Sequence, residues 1–158
     1  MPEIKLEPGD VRILRALQAE GRLTNQELAE RVGMSTSPCW RRVKRLEEAG
    51  VIRGYRASLD RRALGLGVLA FVRVVIDSHS KAEAEKFERD VQALEEVIAC
   101  WSVAGDADFM LQVVATDLDA YAEFAMTVIR RLPGIKQMHT TLVLKELKAT
   151  AGLPLGHV

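Results

Sequence analysis

The sequence predicts an α+β protein. A winged-helix-like helix-turn-helix of three helices is joined by a tether to a C-terminal βαββαβ domain of ferredoxin-like plan. Three observations lead there. The first sixty residues carry apolar side chains at helical spacing, punctuated by Gly21, Gly33 and Gly50. Beyond Gly67, β-branched runs and amphipathic stretches follow in the order strand, helix, strand, strand, helix, strand. The run "VLAFVRVVID" is apolar on both alternating faces, as a strand covered on both sides must be.

The first helix is expected from about Pro8 to Glu20, with Val11, Ile13, Leu14 and Leu17 on its apolar side and Gly21 as its stop. Thr24 and Glu27 have the spacing of a capping box and open a second helix that closes near Gly33. Ser35 is placed to cap the third helix, which Gly50 ends. Two helices joined by the tight turn "VGMS" form a helix-turn-helix.

Helical geometry sorts the third helix. At about 100° per residue, with Cys39 at 0°, Val43 falls near 40° and Leu46 near 340°, which defines the buried stripe. Lys44 falls near 140°, Ser37 near 160°, Arg41 near 200° and Arg45 near 240°. No acid occurs between Ser35 and Leu46. Such a face can be a solvated surface or a DNA-reading one. The capped preceding helix, the turn and the single sign of charge together favour a helix lying in a major groove, its cations neutralising phosphates. Trp40, near 100°, stands at the edge of the core stripe as a packing residue.

In the C-terminal part, "VLAFVRVVID" places Val68, Ala70, Val72, Val74 and Ile76 on one face and Leu69, Phe71 and Val75 on the other. "SKAEAEKFERDVQAL" is helical, with Ala84, Phe87, Val91 and Leu94 as its stripe. "EVIACWSV" and "DFMLQVVAT" are strands flanking "AGDA". "DLDAYAEFAMTVIRRL" is a second helix capped by Asp117, with Leu118, Tyr121, Phe124 and Val128 inward, and "GIKQMHTTLVLKEL" is the last strand. Both helices of this plan cover one sheet face. The other face is bare in a monomer yet apolar, so self-association is expected. The domains are accordingly residues 1–52, a tether over 53–66, and 67–158.

Composition narrows the function classes. With 22 basic and 22 acidic residues, no global charge points to nucleic acid. Residues 1–60 nevertheless hold 11 basic against 9 acidic side chains, and the remainder 11 against 13. Cys39 and Cys100 form no disulfide framework or metal spacing and read as buried inert thiols. His79, His139 and His157 lack companions at ligand spacing, so no metal is expected. No signal peptide or apolar run of about 20 residues occurs, which suggests a cytoplasmic protein without a membrane partner. "GLGVLA" matches G-x-G-x-x-A, but a strand follows it where a dinucleotide fold requires a helix. Its glycines suit a linker bending into a strand.

The loop "AGDADF" sets Asp106 and Asp108 beside Gly105, between two apolar strands. Catalysis would need a nucleophile, cofactor loop or metal cluster, and none is apparent. Two readings stay open on the residues alone: carboxylates capping a turn, or a pocket for something positively charged.

The blocks "GRLTNQELAERVGMSTSPCWRRVKRLEEAGVIRGYRASLD", "ALGLGVLAFVRV", "AGDADFMLQVVATDLDAY" and "LPGIKQMHTTLVLKE" resemble the leucine-responsive and asparagine-regulator (Lrp/AsnC) family of prokaryotic transcription factors over essentially the whole chain. The resemblance implies a DNA-binding helix-turn-helix, a β-strand tether and an effector-binding domain. It also implies dimers that commonly assemble into octamers around which DNA can wrap. Double-stranded DNA would be the partner, with an imperfectly palindromic operator if the dimer is two-fold. Ser35, Thr36, Ser37, Pro38, Arg41, Arg42 and Arg45 match the start and exposed face of the family's recognition helix, and Lys44 joins them by geometry. Gly105, Asp106 and Asp108 match its Gly-Asp-x-Asp loop, with Thr140 and Thr141 as the pair near it. The sequence departs at Trp40, where a smaller aliphatic residue is usual, at Ala104 for a frequent Thr, and at Ala107 for a common aromatic.

What the resemblance implies for the loop is an amino-acid effector rather than a cofactor. Asp106 or Asp108 would accept from its ammonium. Amides near Ala104 and Gly105 and the Thr140 and Thr141 hydroxyls would donate to its carboxylate, and Trp101 would wall its side chain. An effector-independent protein that wraps DNA architecturally is the alternative.

Overall fold

Short helices with strong termini build the N-terminal part of the chain. In the computed structural model, which describes residues 4–77, 81–149 and 152–158, these helices are α1 (Pro8–Ala19), α2 (Asn25–Val32) and α3 (Thr36–Glu48). Thr24 and Glu27 close the predicted capping box on α2, the Thr24 N–H donating to Glu27 Oε2 at 2.7 Å and the Glu27 N–H to Thr24 Oγ1 at 3.2 Å. At the other end Gly33 is left-handed with φ 66°, a conformation glycine adopts without the Cβ penalty. Ser35 occupies the N-cap position of α3, but its side chain makes no capping hydrogen bond. The expected cap is therefore only a backbone cap. Ile13, Leu14, Leu28, Ala29, Val32, Cys39, Val43 and Leu46 bury one another as the core of this unit.

The expected β-strand tether is not a strand. Among the described residues, 53–60 are extended coil and 61–65 form a turn. A strand exists only by pairing, and no described segment is ladder-bonded alongside 53–60. Gly65 and Gly67 then lead into β1 as expected. Gly65 has φ 80°, and a Cβ on Gly67 would stand 2.8 Å from the Thr116 carbonyl oxygen.

The second half forms β1 (Val68–Ile76), α4 (Lys81–Gln92), β2 (Val97–Ser102), β3 (Phe109–Ala115), α5 (Leu118–Thr127), a 3-10 turn (Ile129–Arg131) and β4 (Ile135–Leu142). One antiparallel sheet runs β2-β3-β1-β4, the βαββαβ plan the pattern predicted. Phe87 and Val91 of α4 and Tyr121, Phe124 and Ala125 of α5 pack on Ala70, Val72, Val74, Leu111 and Val113, so both helices cover one face. Asp117 caps α5, accepting from Ala120 N–H at 2.8 Å. Leu118, expected inward, is instead exposed. It is the first residue of the helix, a turn short of the stripe that Tyr121 and Phe124 form. Cys100, expected buried, is exposed on the edge strand β2, while Cys39 is fully buried.

The chain divides into two compact units, residues 1–58 with 148–158 and residues 59–147. The C-terminal segment, expected to belong with 67–158, is tied to α1. Gln18 Nε2 donates to the Leu153 carbonyl at 3.2 Å and Gln18 Oε1 accepts from its N–H, while Leu155 packs on the N-terminal core. Among the described residues no helix is long and apolar enough to cross a membrane.

Candidate DNA and effector sites

Helix α3 differs from its neighbours at its N-terminus. Asp10 accepts from the Glu7 N–H at the start of α1, and Thr24 and Glu27 close α2. No side chain caps α3, and its first turn holds no acid. Its leading N–H groups and positive dipole end are therefore open to an anion. Ser35, Thr36, Ser37, Pro38, Arg41 and Lys44 are all exposed there. Arg41 makes no hydrogen bond or ion pair with any described residue, while Lys44 lies over the Trp40 ring at 5.2 Å and 4.0 Å from Glu48. Trp40 is half exposed, so it packs at the edge of the core rather than within it.

The remaining two arginines have a different position. Asp10 is fully buried, and its carboxylate accepts from Arg42 Nη1 at 3.0 Å, from Arg45 Nη2 at 2.5 Å and from the Glu7 N–H at 2.8 Å. Arg42 also pairs with Glu7 at 2.7 Å. Burial alone would raise the acid's pKa. The Glu7 N–H and the two guanidiniums outweigh burial and hold it below the usual carboxylate range. Arg42 and Arg45 are thus not free members of a one-signed face. They join α3 to α1, and Arg45 keeps an exposed edge. Sequence reasoning missed Asp10, although it is the one acid three and four residues before Ile13 and Leu14 on an apolar stripe.

The loop between β2 and β3 separates its two aspartates by role. Asp108 Oδ2 accepts from the Ile76 N–H at 2.8 Å, just where the β1–β4 register shifts between Val75 and Ile76. The Asp108 N–H donates to the Val74 carbonyl at 3.0 Å, and its own carbonyl accepts from Val103 N–H at 2.9 Å. Asp108 therefore pins the loop to β1. Asp106 is exposed and pairs with Arg73 Nη1 at 2.5 Å. Gly105 has φ 143°, a region only glycine enters readily, and a Cβ there would meet nothing within 4 Å. Ala104 is exposed beside it and Ala107 is buried.

The threonines face opposite ways. Thr140 pairs with Val72 on the helix-covered side, where its hydroxyl bonds Tyr121 Oη at 2.5 Å; Thr141 pairs with Phe71 on the open side. Trp101, Met110, Arg73 and His139 form one register row across the open face. One chain thus brings Asp106 to Arg73, with Trp101 on the same row, but does not gather Asp108, Thr140 and Thr141 into one pocket with them. Cavities of about 840 and 510 Å³ open on the N-terminal unit, and none of the loop residues lines either. Among the described residues no cluster of His, Cys, Asp and Glu could hold a metal; His79 lies outside them.

Comparison with known proteins agrees with this two-part construction. Residues 69–153 match the Lrp/AsnC ligand binding domain family, and residues 10–53 match a winged helix-turn-helix DNA-binding family. The first match alone spans more than half of the chain. The chain belongs to the Lrp/AsnC family. This Lrp/AsnC protein is 42% identical over 145 residues to the leucine-responsive regulatory protein of Rhizobium meliloti (strain 1021), covering 92% of this chain and 93% of that one. It is 38% identical over 154 residues to the leucine-responsive regulatory protein of Escherichia coli (strain K12), with 94% of each covered. A transcriptional regulator from Neisseria meningitidis, solved as an L-Met complex, matches it with TM-score 0.93 at 42% identity, covering 97% of this chain and 99% of that one. An AsnC family transcriptional regulator from Agrobacterium tumefaciens matches with TM-score 0.90 at 36% identity, covering 96% and 99%. The Lrp/AsnC protein described here is a DNA-binding transcription regulator with a ligand-binding domain, and not an enzyme.

Proposed function

We propose that this regulator binds an operator through α3 as a self-associated assembly, and that a free amino acid bound at the Gly105–Asp108 loop alters its assembly or DNA affinity. The observation that carries the DNA part is the open N-terminus of α3, flanked by exposed Ser35, Thr36, Ser37, Pro38, Arg41 and Lys44. Arg42 and Arg45 contribute by aiming that helix, and the exposed edge of Arg45 adds to the field at a phosphate. The effector part is supported by the ligand-binding family match, by the Neisseria meningitidis relative solved with L-Met, and by an exposed carboxylate beside an open glycine. A dimer formed through the open sheet face, higher assembly to an octamer, and a cytoplasmic location complete the reading.

The test begins with duplexes selected by the wild-type protein from a random library. Arg41→Glu should lower affinity for them by about tenfold or more and reduce the salt dependence, with the circular dichroism spectrum and sedimentation unchanged. Unchanged affinity in that variant would sink the assignment of α3. Arg41 is a cleaner probe than Arg45, whose reversal would also set a carboxylate against Asp10. Each of the twenty amino acids is then added to the wild-type complex, and one of them should shift affinity or assembly. If DNA binding persists and none does, the protein is the effector-independent wrapping kind.

A further inference from the structure

The pairing of Asp106 with Arg73 has a consequence for what the loop can bind. Asp108 is committed to the Ile76 N–H, so Asp106 is the loop's available carboxylate, with its side chain 79% exposed. Its charge is already matched by Arg73, itself 39% exposed and hydrogen-bonded to it at 2.5 Å. An incoming amine or other simple cation would have to share that carboxylate with the guanidinium, setting two cations on one acid. A zwitterion meets no such conflict. Its ammonium takes Asp106 while its carboxylate takes the planar guanidinium, so both charges stay paired throughout the exchange.

We propose that Arg73 is the group that receives the effector's carboxylate, and that the Arg73–Asp106 pair makes the site selective for zwitterionic α-amino acids over amines and amides. This rests on the amino-acid reading of the loop given above. The surroundings fit the exchange. Gly105 leaves open space beside Asp106, and Met110 and Trp101 follow Arg73 across the same sheet row, offering an apolar wall for a side chain. Arg73 also lies on the open sheet face, opposite His139. A ligand that draws the guanidinium toward itself therefore repositions a cation on the face proposed for self-association. That gives the two assembly states the different affinities for ligand that any effector-driven shift requires.

The experiment measures, by thermal shift and calorimetry on the full chain, binding of the twenty amino acids, then of the best stabiliser's primary amide and decarboxylated amine. Wild type should favour the acid over its amide and amine by at least about tenfold, as a charge-assisted bidentate contact would give. In Arg73→Gln that ratio should collapse toward one, and Arg73→Lys should keep part of it. A merely structural arginine would weaken acid and amide alike and leave the ratio intact, which overturns the proposal. So does a wild-type ratio near one, or an Arg73→Gln protein that binds the acid with wild-type affinity and preference. Should Arg73→Gln fail to fold, the acid-to-amide ratio in wild type and Arg73→Lys still decides. If no amino acid binds the wild type while it still binds DNA, the effector reading itself is wrong and the role of Arg73 falls with it.

Discussion

At the residue scale the informative group is Asp10, because its burial and its partners pull in opposite directions. Burial disfavours the carboxylate, and three hydrogen bonds from Glu7, Arg42 and Arg45 more than offset that cost. Since the folded pKa is depressed, the stabilisation is present above the unfolded value near 4 and is lost as pH falls through the folded value. Wild-type helix-turn-helix stability should therefore decline below about pH 4, and Asp10→Asn should be less stable at neutral pH and flatter across that acid limb. Thermal melts at stepped pH, read on the helical signal, check both. Arg42→Ala leaves part of a buried charge unmatched and should destabilise by about 3 kcal/mol. Neither effect requires DNA. This separates the pair of arginines that hold α3 from Arg41, which makes no hydrogen bond or ion pair with any described residue.

At the element scale one side chain of the β2–β3 hairpin reaches a break in the neighbouring ladder. The β1–β4 register shifts between Val75 and Ile76, and the Asp108 carboxylate accepts the Ile76 N–H there. Asp108→Ala leaves a buried N–H unmatched and should cost about 1–3 kcal/mol, whereas Asp108→Asn retains an acceptor and should cost less. Denaturant melts measure the difference, and hydrogen exchange at Ile76 locates it. Equal behaviour of the two variants would show that the bond is unimportant. The elements themselves were legible in the sequence because each carries its own signal: Thr24–Glu27 at the start of α2, Gly33 at its end, Asp117 before α5 and the alternation of β1. The tether was not legible, because extended backbone becomes a strand only against a partner, and residues 53–60 have none among the described residues.

At the scale of the whole molecule the open sheet face is the surface on which the proposed assembly rests. Phe71 and Val75 of β1 share it with Met110 of β3, while Leu69 and Val114 at one end of it are already buried; no described helix packs on Phe71, Val75 or Met110. These apolar side chains, interrupted by Gln112, Arg73 and His139, are a surface that an isologous dimer can bury. Phe71→Asp should therefore convert the proposed dimer to a monomer in sedimentation equilibrium at micromolar concentration, with far-UV circular dichroism retained. DNA affinity should fall with it, since a monomer engages one half-site instead of two. A wild-type protein that is already monomeric at that concentration would refute this account of the face.

Periodicity, caps and charge sign determined the architecture without any coordinates: three helices, then βαββαβ, with α3 as the helix that carries cations outward. These are short-range properties, since residues three or four apart on a helix and two apart on a strand share a face wherever the chain goes. Pairings between distant residues were decided only by the tertiary structure. Asp10 meets Arg42 and Arg45, Asp108 meets Ile76, Asp106 meets Arg73, and Thr140 turns toward Tyr121 while Thr141 turns away. Each depends on which elements pack together and in what register. Four arginine and aspartate side chains that the sequence leaves equivalent thus acquire different partners: Arg42 and Arg45 brace α3 against α1, Asp108 holds a strand end, and Asp106 stays exposed beside Arg73.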